Sequence, residues 1–247
     1  SYKDVSLVIK HLLSSPYEHD MAEALIKHQG SDAVEVGIGL HMESLFKELH
    51  DLAYYLPGQH KDLVYFLHRW DLIAIKTLLR RAACGKVVAL IDLCTGPSLS
   101  WPLVHQLAEI SNIEELAIRL QQMFPMLCRP FNNIVKAGFD TPQSLLELLE
   151  SALDRTYFKR FTEIIPQNNT QKVIRQYLSI EIDRINIRAV LNEVNRHSRS
   201  AEPFQWLPGG LLSQKTLDAM LASGSIESAL FLLEATPYRS IHQVFYQ

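Results

Sequence analysis

One short pattern centred on an aspartate occurs twice in this chain, and it constrains the fold more than any other feature. The later copy, residues 181–191, reads EIDRINIRAVL, and the earlier copy, residues 70–79, reads WDLIAIKTLL. Asp183 minus Asp71 is 112, and Arg188 follows Lys76 at the same offset. Apolar residues stand four and eight positions after each aspartate, so each carboxylate falls on the buried stripe of a helix. Two such aspartates predict an internal repeat.

Other segments recur at nearly the same distance. Residues 209–213 follow residues 96–100 at an offset of 113, and residues 157, 158 and 161 follow residues 45, 46 and 49 at 112. Residues 226–238 match residues 5–17 at an offset of 221. These matches predict three helical units of about 110 residues, covering 1–95, 96–207 and 208–247. We expect the first unit to lack its glycine-rich opening and the third its motif helix, as in a fragment cut near both ends.

Apolar periodicity predicts helices throughout, and no segment alternates convincingly with a period of two, so the expected class is all-α. Glycine at 30 followed by serine and aspartate predicts a break before a long helix over 34–55. Ser100 and the spacing of Ser111 with Glu114 predict helix starts. Residues 125–130 and 197–206 read as irregular. Further helices are predicted over 4–13, 21–27, 61–83, 143–165 and 170–196.

Composition excludes several classes of function. The net charge of −3 argues against a general attraction to nucleic acid or to an anionic membrane. Three cysteines without CxxC spacing indicate reduced thiols rather than a disulfide framework. No signal peptide is expected at the N-terminus. The longest apolar run, residues 87–94, is too short to span a bilayer.

No local motif predicts catalysis or a cofactor: HExxH, Walker A and Gly-x-Ser-x-Gly are all missing from the sequence. A metal site would have to use pairs such as His41 with Glu48 or His105 with Glu109, which we regard as ordinary histidines. A buried aspartate needs a partner, either a basic residue or the open backbone N–H groups of a helix start. We therefore expect the repeated pattern to fix the register of helices. Its members are Asp71, Lys76, Asp183, Asn186 and Arg188. An alternative interpretation is that Arg80 and Arg81, and Arg184 with Arg188, instead present positive charge to a partner.

These features together resemble a known family. The helix Glu181, Asp183, Asn186 and Arg188, the Pro-Gly-Gly-x-Leu opening at 208–212, and the threefold helical repeat resemble the C subunit of the archaeal and bacterial V/A-type ATPases. The eukaryotic counterpart is the d subunit of the vacuolar ATPase. The first copy departs from the pattern, with Ala74 where Asn186 stands in the second.

The resemblance implies a funnel of three pseudo-symmetric helical lobes. In that family the funnel is a socket between the central shaft of the catalytic head and the membrane rotor ring, on the cytoplasmic face of the membrane. It performs no chemistry and binds no cofactor, nucleic acid or small-molecule substrate. Two other interpretations remain open: a helical-repeat adaptor outside any ATPase, and an enzyme or metal carrier in a helical fold.

Overall fold

A computed structural model describes residues 4–55, 60–85, 95–164, 172–196 and 205–241. Eleven α-helices account for most of these residues, and the described chain contains no strand beyond an isolated bridge between Gly96 and Leu99. The predicted all-α class is therefore confirmed for this part of the chain. The helices are α1 (Val5–Leu12), α2 (Glu18–Lys27), α3 (Gly30–Tyr55), α4 (His60–Cys84), α5 (Trp101–Ala108), α6 (Ile113–Met123), α7 (Phe131–Ala137), α8 (Pro142–Ile164), α9 (Lys172–Arg196), α10 (Gln214–Ala222) and α11 (Ile226–Phe231).

The chain divides into two compact units, Ser1–Tyr157 and Phe158–Gln247. In the first compact unit, residues 1–157, α4 is central. It packs against α3, α5 and α6, and its residues Ile75, Leu78 and Leu79 are fully buried. In the second unit α10 and α11 pack on α9, and their shared core includes Val190 and Met220. Burial of apolar side chains is the main stabilising contribution in both of these compact units.

Side-chain caps define several helix starts. Asn112 accepts a hydrogen bond from Glu115 N at 3.0 Å, Ser213 accepts from Thr216 N at 3.1 Å, and Ser225 begins α11 in the same way. Each cap satisfies an N–H group that has no partner within its helix. The predicted capping box at Ser111 is therefore wrong by one residue, since the capping side chain belongs to Asn112.

Two other expectations also need correction. The helix α3 begins at Gly30, four residues before its predicted start, because Gly30 adopts a φ of 60° at the first position and the chain turns into the helix there. The helix α7 follows Pro130 and was missed, since it has only seven residues. The helices predicted over 4–13, 21–27, 61–83, 143–165 and 170–196 agree with the bounds of α1, α2, α4, α8 and α9 to within three residues. The apolar run over 87–94 and most of the predicted loop over 197–206 lie outside the described residues.

Two glycines inside α3 let other helices approach closely. A Cβ at Gly37 would overlap the Met21 sulfur of α2, and one at Gly39 would lie 2.6 Å from ring carbons of Trp101 at the start of α5. Glycine in a helix interior costs about 1 kcal/mol relative to alanine. The sequence weakens α3 at these positions, and the close packing of α2 and α5 offsets that cost.

Replacing Gly39 with alanine should therefore destabilise the protein in spite of the better helix propensity of alanine. We expect a loss of about 1–3 kcal/mol in the free energy of unfolding, measured in urea, because the rigid indole has to move. His50→Ala, at an exposed position of the same helix, is the control and should change the value by less than about 0.5 kcal/mol. A stabilised Gly39→Ala variant would contradict this packing.

Candidate functional site

The first repeated aspartate lies at the centre of a cluster that we call the first anchor: Asp71, His68, Gly96 and Ser98. Asp71 is completely buried in α4. Its Oδ1 accepts a hydrogen bond from Ser98 N at 2.9 Å, and its Oδ2 lies 2.6 Å from His68 Nδ1, one helical turn earlier. Ser98 belongs to the short turn that leads into α5. The carboxylate therefore holds the main chain at the approach to a helix.

The second anchor consists of Asp183, Gly210, Leu211, Leu212 and Tyr238. Asp183 is also completely buried, in α9. Its Oδ2 accepts from Leu211 N at 2.6 Å and from the Tyr238 hydroxyl at 2.7 Å. Leu212 N is 3.1 Å from Oδ2 and 3.2 Å from Oδ1. These two amides come just before α10, so Asp183, like Asp71, binds backbone ahead of a helix.

Two more side chains of α9 hold the same segment. Asn186 donates to Leu207 O and accepts from Leu207 N, both at 3.0 Å. The Ser179 hydroxyl donates to Gly209 O at 2.8 Å. Ser179, Asp183 and Asn186 are four and three residues apart, so they share one face of the helix. The first copy has Ala74 at the position of Asn186, and that alanine is buried without a hydrogen-bonding side chain.

A glycine lies against the carboxylate in each anchor. A Cβ at Gly96 would overlap Asp71 Oδ1 and would lie 2.6 Å from the Asp71 amide nitrogen, and a Cβ at Gly210 would overlap Asp183 Oδ1. Gly210 minus Gly96 is 114, whereas the sequence match paired Gly96 with Gly209. The two openings thus differ by one residue locally, although the helix-start serines keep the offset of 113.

The basic residues of the repeated pattern have different surroundings. Lys76 Nζ lies 2.7 Å from Asp154 Oδ2, and Arg80 donates to both carboxylate oxygens of Glu150, at 2.5 and 2.9 Å. The hydrogen bond to Glu150 is the main reason that the pKa of Arg80 is raised above its ordinary value, and it outweighs the opposing effect of burial. Tyr65 stacks on Tyr157 with ring centroids 5.3 Å apart. We call these contacts the α4–α8 interface.

The other predicted basic residues lie nearer the surface. Arg184 is paired with Glu181 on its own helix, Nη2 to Oε2 at 2.9 Å. Arg188 is exposed on α9 and Arg81 is half-buried on α4. Within the described residues neither of them forms an ion pair. The structure therefore gathers Lys76 and Arg80 into an internal interface, and it does not bring Arg81 or Arg188 to either anchor.

Several titratable groups near these elements have shifted pKa values. Burial, reinforced by the hydrogen bond to Asp183, raises the pKa of Tyr238 well above its ordinary value, so the hydroxyl remains a donor. Burial raises the pKa of Glu43, whose carboxylate accepts from Trp101 N at the start of α5. Burial and the neighbouring His28 lower the pKa of His105, which stacks edge-on against Trp101.

The sequence indicated the two aspartates but not all of their partners. Tyr238 and His68 are partners that the repeated sequence pattern did not reveal, because neither residue belongs to it. In the part of the chain that the structure describes, no group of three His, Cys, Asp or Glu residues is arranged to hold a metal ion. None of the described helices is long and apolar enough to cross a membrane.

In both anchors a buried carboxylate accepts hydrogen bonds from main-chain N–H groups. Such sites organise helices, and the described part of the chain is all-α. The family follows from the sequence: the chain belongs to the ATP synthase (C/AC39) subunit family, whose model matches residues 2–245.

Individual relatives carry the same description. The chain is 24% identical over 226 residues to the C subunit of the A-type ATP synthase of Haloferax volcanii, covering 89% of this chain and 62% of that protein. The corresponding A-type protein of Methanosarcina mazei is 23% identical, with 94% and 59% covered. The C subunit of the V-type ATP synthase of Deinococcus radiodurans is 27% identical, with 69% and 47% covered. The chain thus spans about three fifths of the length of the first two relatives. No solved structure matches it.

Replacing Asp183 with asparagine should unfold the second anchor. The amide has one acceptor oxygen where the carboxylate has two, and its NH₂ would face the N–H groups of Leu211 and Leu212. We expect a loss of about 3 kcal/mol in the free energy of unfolding in urea. The control is Asp218→Asn, since Asp218 is exposed and accepts from the Trp206 indole at 2.7 Å. Equal effects of the two substitutions would show that Asp183 has no special role.

The lowered pKa of His105 predicts a loss of stability in acid. The unfolded chain binds the proton more tightly than the folded chain, so His105 contributes less stability as the pH falls below about 6.5. His105→Gln should therefore flatten the decline of the urea midpoint between about pH 7.5 and 5. His50→Gln, at an exposed position, should leave the decline as in the wild type. Identical slopes for wild type and His105→Gln would refute the assignment.

Proposed function

We propose that this protein is a non-catalytic central-stalk subunit of a V/A-type rotary ATPase. It couples the central shaft to the membrane rotor ring during ion transport driven by, or driving, ATP turnover in other subunits. In this role it is a peripheral protein at the cytoplasmic face of the membrane, and its partners are the shaft subunits and the ring. The single observation that carries the proposal is the family match over residues 2–245.

The two anchors suit such a role. A protein that couples two rotating parts has to transmit force between helices without letting one slide along another. Carboxylates that each bind backbone N–H groups at a helix approach provide directional, charge-assisted hydrogen bonds, which are stronger than neutral ones. Their equivalent positions in α4 and α9 support the proposed repeats at 1–95, 96–207 and 208–247, and a funnel of three lobes is part of the same proposal.

The basic residues refine the proposed partner surface. Arg80 and Arg184 are already paired inside the chain, so reversing their charges would disturb intramolecular contacts as well as a partner. Arg81 and Arg188 form no ion pair among the described residues. We therefore propose that Arg81 and Arg188, rather than Arg80 and Arg184, each contact acidic residues of a neighbouring protein in the complex.

The test is purification of an affinity-tagged chain, expressed from its own gene, in mild detergent. We expect the shaft subunits and the rotor ring to be retained at about 0.5 M salt, because large interfaces depend little on screened surface charges. At about 0.1 M salt, where exposed charges are less screened, Arg81→Glu and Arg188→Glu should weaken retention. Lys10→Glu, an exposed charge reversal on α1, should not.

Two outcomes would contradict the proposal. Retention of neither shaft nor ring by a folded, helical protein would overturn it. Stoichiometric retention of proteins unrelated to an ATPase would favour the alternative function, a helical-repeat adaptor.

A further inference from the structure

Three helices, α1, α6 and α11, occupy the same position in the proposed repeats. They begin at Val5, Ile113 and Ile226, and these starts differ by 108 and then by 113 residues. Counted from the first residue of each helix, positions 1, 4, 5 and 8 are apolar in all three copies. On a helix this spacing places the side chains in one stripe. The three copies therefore have equivalent apolar stripes.

Two of these stripes are buried beside a motif helix, the name we give to α4 and α9, which carry the repeated aspartates. The four stripe residues of α6 are at most 5% exposed, and α6 packs against α4 and α7. In α11 the three stripe residues after Ile226 are at most 2% exposed, and they share a core with Val190 of α9. Each motif helix thus packs against the corresponding helix of the following repeat.

The stripe of α1, in contrast, is partly open. Among the described residues α1 packs mainly on α2 and α3, and none of its own residues is buried. Val5 is 42% exposed, and Val8, Ile9 and Leu12 are half-buried. Both described motif helices pack against the other two copies. The same apolar pattern is therefore buried in α6 and α11 and left partly open in α1.

The turns that follow α1 and α11 are also equivalent. Ser15 Oγ and Thr236 Oγ1 each donate to the carbonyl oxygen three residues earlier, at 2.7 Å. Each of these hydroxyl oxygens accepts from the main-chain N–H of a tyrosine two residues later, at 3.3 Å for Tyr17 and 3.1 Å for Tyr238. At the offset of 113 the middle copy has Pro125 instead. The first and third copies therefore place a tyrosine at the same point of the same turn.

The hydroxyl groups of these two tyrosines have different surroundings. Tyr238 donates to Asp183 of α9 at 2.7 Å. The Tyr17 hydroxyl forms no hydrogen bond with the described residues. Its ring lies against the ring of His41, with centroids 4.1 Å apart, and His41 Nδ1 is 2.8 Å from Oδ2 of the buried Asp20. Because these contacts hold the Tyr17 ring in place, its hydroxyl can bind a carboxylate at a low cost in side-chain entropy.

The open stripe and the tyrosine together specify the chemistry of an occupant. It needs a carboxylate for the Tyr17 hydroxyl and an apolar stripe beside that carboxylate, and both motif helices have this combination. A third repeat would carry another helix of this kind. The chain spans about three fifths of the length of its first two relatives, which therefore have room for it. We define the α1 face by five residues, Val5, Val8, Ile9, Leu12 and Tyr17.

We propose that the α1 face docks the motif helix of the third repeat, a segment of this chain that follows residue 247, and that Tyr17 donates a hydrogen bond to its aspartate. The first repeat then receives a motif helix as the second and third repeats do. This inference rests on the three repeats that belong to the proposed function, and it does not depend on the partners of a rotary ATPase.

The probe is a fluorescent peptide with the sequence of residues 172–196, kept helical by a lactam bridge between exposed positions. A second peptide carries the substitution Asp183→Asn. Binding of each peptide to the whole chain is followed by fluorescence anisotropy. The aspartate peptide should bind about tenfold more tightly than the asparagine peptide, because a hydrogen bond to a charged acceptor is stronger than one to a neutral acceptor.

Two pairs of variants locate the binding site. Tyr17→Phe keeps the ring and removes the donor, so it should bind both peptides alike, whereas Tyr54→Phe, at a residue 77% exposed on α3, should keep the preference for aspartate. Val5→Asn changes the stripe and should weaken the binding of both peptides by about tenfold. Its control is Leu7→Asn, since Leu7 is 52% exposed on α1 and lies outside the stripe, and this variant should bind like the wild type.

Three results would overturn the inference. The first is no binding of the aspartate peptide to the folded wild type. The second is a preference for aspartate that survives in Tyr17→Phe, which would place the peptide elsewhere on the chain. The third is self-association of the wild type in sedimentation that Tyr17→Phe abolishes, which would assign the α1 face to a second copy of this chain.

This test and the test of the proposed function can fail separately. Failure of the peptide to bind, with the shaft subunits and the ring retained in the purification, would overturn the docking of a motif helix and leave the proposed function in place. Peptide binding that depends on Tyr17, without retention of shaft or ring, would overturn the proposed function alone.

Discussion

The hydrogen bonds from backbone amides to two fully buried aspartates are the interaction on which the helical arrangement depends. Burying an unpaired carboxylate is costly, so Asp71 and Asp183 are tolerated only while the segments before α5 and α10 present their N–H groups. The dependence is mutual, because those amides would otherwise lack partners near the core. Glycine next to each carboxylate allows the main chain to come close enough. Helix position and loop path are therefore set together.

The two anchors both satisfy a buried carboxylate, but the additional hydrogen-bonding side chains differ between them. In the first, His68 lies one turn before Asp71 on the same helix, whereas in the second the hydroxyl comes from Tyr238, far along the chain. Asn186 and Ser179 give the second anchor further bonds to the main chain, and Ala74 gives the first none. The shared requirement is satisfaction of a buried carboxylate. The choice of the additional donor is local, so the two copies of the sequence pattern share the aspartate while the residues around it differ.

Sequence periodicity predicted the helical class and most helix ends, because an apolar stripe and a capping side chain are local features. It missed α7, which is too short to show a period, and it placed the start of α3 at Val34 because Gly30 reads as a break. For the aspartates it left basic residues and helix-start amides as alternatives, and the structure has amides at both. Tyr238 could not be predicted as a donor to Asp183, since that contact depends on how α10 and α11 pack. The three-lobed funnel stays a prediction.

Recognition of backbone has a consequence for how such a chain diverges. Asp183 accepts hydrogen bonds from the main-chain N–H groups of Leu211 and Leu212, and these bonds do not depend on the identity of either side chain. Any residue with an N–H group can donate the same hydrogen bond. Most residues of the segment before α10 can therefore be substituted without loss of this contact. Only the aspartate and the glycine beside it are tightly restricted. An anchor of this kind is compatible with relatives that are only 22–27% identical to this chain.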